Sequence, residues 1–215
     1  MEAVVRLLIE RDDVEINAKD DVGNTALIWA AYYGHEAVVR LLIERDDVEI
    51  NAKDNGGNTA LIWAAYDGHE AVVQLLIERD DVEINAKDDE GKTAVIWAAY
   101  KGHGAVVRLL IERDDVEINA KDNGGNTALI WAAYHGHEGV VRLLIKRDGV
   151  EIYAKDSEGG TAVIWAAREG HGAIVQLLND RLDVLARGSE IAPGSALAGG
   201  AVGAEGKGAG GATAA

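Results

Sequence analysis

Apolar and polar positions follow two periods along this chain, and the switch between them recurs. In TALIWAAYY, opened by Thr25, apolar residues run almost without a break, and the Thr25 hydroxyl is placed to cap the free N–H groups of a first helical turn. Gly34 ends that segment. HEAVVRLLIER then sets Val38, Val39, Leu41, Leu42 and Ile43 on one broad apolar face, with Glu36 near the positive end of a helix dipole. VEINAKDNGGN alternates Val48 and Ile50 with polar residues and closes on Asp54-Asn55-Gly56-Gly57, the composition of a short extended arm ending in a tight turn. The pattern predicts helix, turn, helix, projecting hairpin.

That unit returns every 34 residues, with Thr25, Thr59, Thr93, Thr127 and Thr161 in one column. The predicted organisation is a partial repeat at 1–22 (second helix and hairpin only), repeats at 23–56, 57–90, 91–124 and 125–158, a divergent repeat at 159–187 and a flexible Gly/Ala-rich tail at 188–215. A unit this small cannot bury its own apolar face and becomes stable only against its neighbours, so a linear solenoid follows. Ala30 and Ala31 are small enough to let successive first helices approach closely. The column Trp29, Trp63, Trp97, Trp131 and Trp165 supplies large apolar area, and both columns read as core. In the partial first unit, Val5, Leu7 and Leu8 lack a covering first helix, so the chain is expected to be a piece of a longer protein or a truncated gene model.

A resemblance to the ankyrin repeat family rests on G-x-T-A-L and A-A in the first helix, G-H-E after the turn, V-V-x-L-L in the second helix and N-A-K-D in the hairpin, over roughly residues 1 to 178. It departs from the family's Thr-Pro-Leu-His by Ala26 and Ile28, and its unit is longer than the usual period of about 33, the extra residue being most simply placed in the Asp46-Asp47 turn. Long arrays of near-identical units with RDDV and NAKD also look like those of fungal nucleotide-binding sensor proteins, although no nucleotide-binding segment is present in this sequence. The resemblance implies an all-α solenoid with short β-hairpin loops that binds a protein partner through a concave groove of hairpin tips and first helices.

Differences between units concentrate on columns that the resemblance assigns to that groove. At the hairpin, Val22 is followed by Gly56, Glu90, Gly124 and Glu158, and Asn24 by Asn58, Lys92, Asn126 and Gly160. At the end of the first helix, Tyr33 is followed by Asp67, Lys101, His135 and Glu169. A constant column, Tyr32, Tyr66, Tyr100 and Tyr134, becomes Arg168 in the last unit and is expected to form a ladder of rings. Some differences fall elsewhere, such as Gln74 against Arg40 and Gly104 against Glu36. They suit the competing reading, a structural spacer or intramolecular array within a larger signalling or sensor protein.

Composition narrows the function classes. A formal charge of −16 with pI near 4.7 disfavours a nucleic-acid partner. No apolar run reaches transmembrane length and the start lacks a signal peptide's basic region, so no membrane is expected and the cytosol or nucleus is. The chain has no cysteine, hence no disulfide or thiolate zinc site. His35, His69, His103, His137 and His171 share one structural column, which no single metal gathers; His135-Gly-His137 is the only close pair. Asp46-Asp47, Asp80-Asp81 and Asp114-Asp115 recur beside Arg45, Arg79 and Arg113 as a solvated charged ridge, without the spacing of a calcium loop. Gly56-Gly57 is too short for a phosphate loop, and no nucleophile motif is present. The expectation is a non-catalytic chain, a monomer or part of a longer one, with no metal, cofactor or small-molecule substrate.

Overall fold

The computed structural model describes residues 6, 7, 9, 11 and 13–190. Val5, Leu8 and residues 191–215, which hold most of the expected tail, lie outside them. Among the described residues the chain forms α1 Ala26–Tyr32, α2 Glu36–Ile43, α3 Ala60–Asp67, α4 Glu70–Ile77, α5 Ala94–Lys101, α6 Gly104–Glu112, α7 Ala128–Tyr134, α8 Glu138–Leu144, α9 Ala162–Arg168 and α10 Gly172–Glu190. First helices stack on first helices and second on second, giving two helical layers with the core between them. Leu27, Ile28, Val39 and Leu42 and their counterparts in the next three units fill it, and Ala30 and Ala31 allow the close approach of α1 and α3. Helix α10 runs on through Glu190, so the boundary expected after residue 187 falls inside a helix.

Local chemistry sets each boundary. The hydroxyls of Thr25, Thr59, Thr93, Thr127 and Thr161 each accept the N–H of the residue three positions on, at 3.3–3.4 Å. Gly68 ends α3 in the left-handed conformation, φ +78°, and the His103 ring lies against it. Second helices start at a histidine that caps nothing; its ring reaches the preceding unit. Nε2 of His69, His103, His137 and His171 lies 2.9–3.0 Å from the backbone oxygen of Tyr32, Tyr66, Tyr100 and Tyr134. A carbonyl only accepts, so Nε2 carries the proton and donates.

Further bonds tie unit to unit on the hairpin side. Asn17 donates to the Asp47 oxygen at 2.7 Å and accepts the Glu49 N–H at 2.9 Å, and Lys19 donates to the Lys53 oxygen at 2.8 Å. Both patterns recur along the array. Hairpin tips are joined by one backbone bond per neighbouring pair, such as Asn55 N–H to Val22 O at 3.0 Å. The arms are built from turns, with no strand among the described residues. On the ridge, Arg45 grips Asp47 through Nε and Nη2 at 2.8 and 2.7 Å while its Nη1 donates to the Ile9 oxygen.

The tryptophan column requires a correction. Trp29 is 38% exposed and Trp63, Trp97, Trp131 and Trp165 are half-buried, so the rings sit at the rim of the core rather than within it. An indole N–H needs a partner, and the partner is a carboxylate at the hairpin.

Candidate functional site

Each hairpin tip is organised by the aspartate of N-A-K-D. Asp54 Oδ1 accepts the N–H groups of Gly56 and Asn58 at 2.9 and 2.8 Å, closing the turn, while Oδ2 accepts the Trp63 indole N–H at 2.9 Å. Asp20, Asp88, Asp122 and Asp156 hold Trp29, Trp97, Trp131 and Trp165 in the same way, at 2.6–2.8 Å. One side chain therefore fixes both the shape of the tip and the direction of the ring beside it. From the sequence the tryptophans read as core and the aspartates only as part of the hairpin motif, so the bond between them was not foreseen; the constancy of both columns at a spacing of nine residues was the available signal.

The expected tyrosine ladder has a different construction. A tryptophan from the next unit stands between successive tyrosines, so the rings alternate. From Trp29 through Tyr32, Trp63, Tyr66, Trp97, Tyr100, Trp131 and Tyr134 to Trp165, consecutive centroids lie 5.0–5.9 Å apart with planes crossed at 63–88°. Edge-to-face contact suits the ring quadrupoles.

The variable residues border this ladder. Val22, Glu90 and Glu158 are exposed at the tips, and Asn58 and Asn126 bond back to Asp54 and Asp122. The buried Oδ1 of Asn24 has no hydrogen-bond partner. Tyr33 stacks on Trp29 at 5.7 Å and His135 on Trp131 at 5.8 Å. Burial lowers the His135 pKa, as do His137, His171 and Lys101, against an opposing pull from Glu169. Asp67 is half-buried at the end of α3, and Glu169 is exposed after α9.

Among the described residues, three cations already lie over ladder rings. Lys92, 7% exposed, places its ammonium 4.0 Å from the Trp97 centroid and 5.5 Å from those of Tyr100 and Trp131, and pairs with Glu90. Lys101 lies 4.1 Å from the Tyr66 ring, a contact that raises its pKa, and the Arg168 guanidinium lies 4.9 Å from Trp165.

Between tip and first helix the surface is hollowed. A cavity of about 470 Å³ gathers Tyr100, Asn126, Tyr134, His135 and Glu158 with Trp131 and Trp165. A second, of about 260 Å³, joins Asn24, Tyr32 and Tyr33. The third, of about 300 Å³, joins Asn58, Tyr66 and Glu90. Thus most of the sequence-predicted positions meet in hollows, while Val22, Asp67, Lys92, Lys101, Arg168 and Glu169 line none of these three.

Among the described residues, no group of three or more acidic or histidine side chains is arranged to hold a metal ion. No described helix is long and apolar enough to cross a membrane. No curated protein sequence matches the chain. The sequence profile described as Ankyrin repeats (3 copies) matches residues 1–88, 80–156 and 119–187, and with the stacked helix–turn–helix units this shows that the chain belongs to the ankyrin repeat family.

Proposed function

We propose that the chain is a non-catalytic protein-binding module whose contact surface is the groove between hairpin tips and first helices. Ankyrin repeats are generally protein-interaction modules and are typically non-catalytic. The observation that supports this surface is the contrast between a constant framework and variable residues set upon it. The Asp–Trp bonds, the ring ladder and the threonine caps repeat in every full unit, while the tip residue and the residue after the ladder tyrosine change sign, size and polarity. A fixed scaffold with a few altered side chains is how one fold acquires a specific partner, because rigid aromatic anchors lose little entropy on contact.

Peptides selected on the array from a random display library test this. They are expected to lose binding when Tyr66, Tyr100 and Tyr134 are together replaced by Ala, and also in the milder pair Lys101→Glu and Glu158→Lys, with the helical circular dichroism signal intact. Arg40→Glu and Arg108→Glu, on the exposed side of the second helices, should leave binding unchanged. Selected peptides that respond only to the second-helix changes would overturn the groove, and a failure to select any would favour the spacer reading.

A further inference from the structure

In one unit the chain fills its aromatic cage with its own lysine, and in the next it leaves the same cage open. Lys92 lies among Trp97, Tyr100 and Trp131 with Glu90 beside it. One period on, the corresponding rings are Trp131, Tyr134 and Trp165, but Asn126 stands in the lysine's column and bonds back to Asp122. What remains is the cavity of about 470 Å³, with Glu158 of the following tip on its wall.

Glu158 occupies the column of Glu90, yet the residue that would pair with it, in the column of Lys92, is Gly160. A side chain there would crowd the Asp156–Trp165 bond: a Cβ on Gly160 would come within 2.3 Å of Trp165 Nε1 and 2.8 Å of Asp156 Oδ2. Among the described residues no ion pair reaches Glu158, whereas the matching hollow two tips earlier has its Glu90 already neutralised by Lys92. The cavity is therefore lined by these three rings, the carboxylates of Glu158 and Asp156 and no cation; the Arg168 guanidinium lies 4.9 Å from the Trp165 centroid but does not line the cavity. Ring quadrupoles attract a cation most strongly where it is partly desolvated, and a neighbouring carboxylate adds to the same preference.

We infer that the Trp131–Tyr134–Trp165 cavity binds the ammonium group of a lysine side chain presented by the protein partner, with Glu158 as its counter-charge and His135 as a wall. This rests on the groove reading above and names the chemistry of one of its contacts. The occupant is a lysine because the chain supplies one to the equivalent cage. The burial that disfavours a charged His135 keeps that wall neutral at neutral pH, so it does not repel the incoming cation.

The test uses n-butylammonium, the end of a lysine side chain, titrated into the full chain while the indole N–H resonances are followed by NMR. Saturable shifts are expected at Trp131 and Trp165, at millimolar concentrations, with neutral n-butanol binding about tenfold more weakly. Asn126→Lys should fill the cavity from within and abolish the response, and Lys92→Asn should open a second response at Trp97. Absence of saturable shifts at Trp131 and Trp165, equal binding of n-butanol, or an unaltered response in Asn126→Lys would each overturn the inference. If selected peptides still map to the groove in that event, only the lysine is lost. If butylammonium binds but selected peptides map elsewhere, the cavity stands and the groove reading fails.

Discussion

Asp54 satisfies four donors at once: the backbone N–H groups of Gly56 and Asn58 on Oδ1, the Trp63 indole on Oδ2 and the Asn58 side-chain amide on both oxygens. This is the residue-scale reason the ring ladder is pre-ordered before any partner arrives. His135 shows how a variable position uses that order. Its ring stacks on Trp131 and meets Tyr100 edge-on at 4.4 Å, and its buried Nε2 has no hydrogen-bond partner. Burial, with His137, His171 and Lys101 nearby, sets its folded-state pKa below the ordinary value of about 6.5, against the opposing charge of Glu169. A lowered folded-state pKa contributes stability that is present above about pH 6.5 and lost as pH falls through the folded-state value. The advantage of the native protein over His135→Asn in thermal midpoint is therefore expected to shrink as pH goes from about 7.5 to about 5.5. Paired melting curves over that range check it; a difference independent of pH would show that His135 titrates alike folded and unfolded.

At the scale of the element, the glycines separate two roles. Gly68 stops α3 at φ +78°, and a Cβ there would lie 2.7 Å from Nδ1 of His103, the histidine whose Nε2 donates to the Tyr66 oxygen. Gly68→Ala is expected to cost about 1–3 kcal/mol, from left-handed backbone strain and displacement of that ring. Gly139, inside α8 where other units carry Ala37, Ala71 and Ala105, has nothing within 4 Å of its would-be Cβ. Gly139→Ala should therefore stabilise by about 0.5–1 kcal/mol, and urea unfolding of the two variants should give opposite signs. These elements were legible in the sequence because cap, apolar face and glycine stop are local, and Thr25, Val39 and Gly34 each do what their neighbours imply. The cage was not. A constant Trp column reads equally as core or as rim, and only the fold brings Asp54 to an indole nine residues away. Lys92 is likewise a groove residue by column, but its burial over Trp97 depends on the next unit's Trp131.

The whole molecule carries a formal charge of −16, and its distribution differs from a plain acidic ridge. Asp47, Asp81 and Asp115 are each held by Arg45, Arg79 and Arg113 in their own turn, which lowers their pKa values. Arg79 is bonded to Asp81 and also feels Asp46 and Asp80, and Arg147 reaches Asp114 at 3.5 Å. Arginines thus lie among the ridge carboxylates. A second column has no such relief: Glu15, Glu49, Glu83, Glu117 and Glu151 are exposed, and no ion pair reaches them among the described residues. If unit spacing follows helix packing, neighbours in this column stand about 8–10 Å apart. Charges at that separation act nearly unscreened where the Debye length is about 30 Å, at 0.01 M salt, and weakly where it is about 8 Å. The unfolding midpoint is expected to rise as sodium chloride goes from about 0.01 to 0.2 M, since chloride at that level screens charge with little effect on apolar burial. Replacing Glu49, Glu83, Glu117 and Glu151 by Gln should flatten the rise, whereas Asp46, Asp80 and Asp114 to Asn should leave most of it, because arginines already offset that column. Thermal melts of the three proteins across the salt series separate the columns. A midpoint that falls with salt in the native protein would show that the arginine–aspartate pairs outweigh the repulsion along the glutamate column.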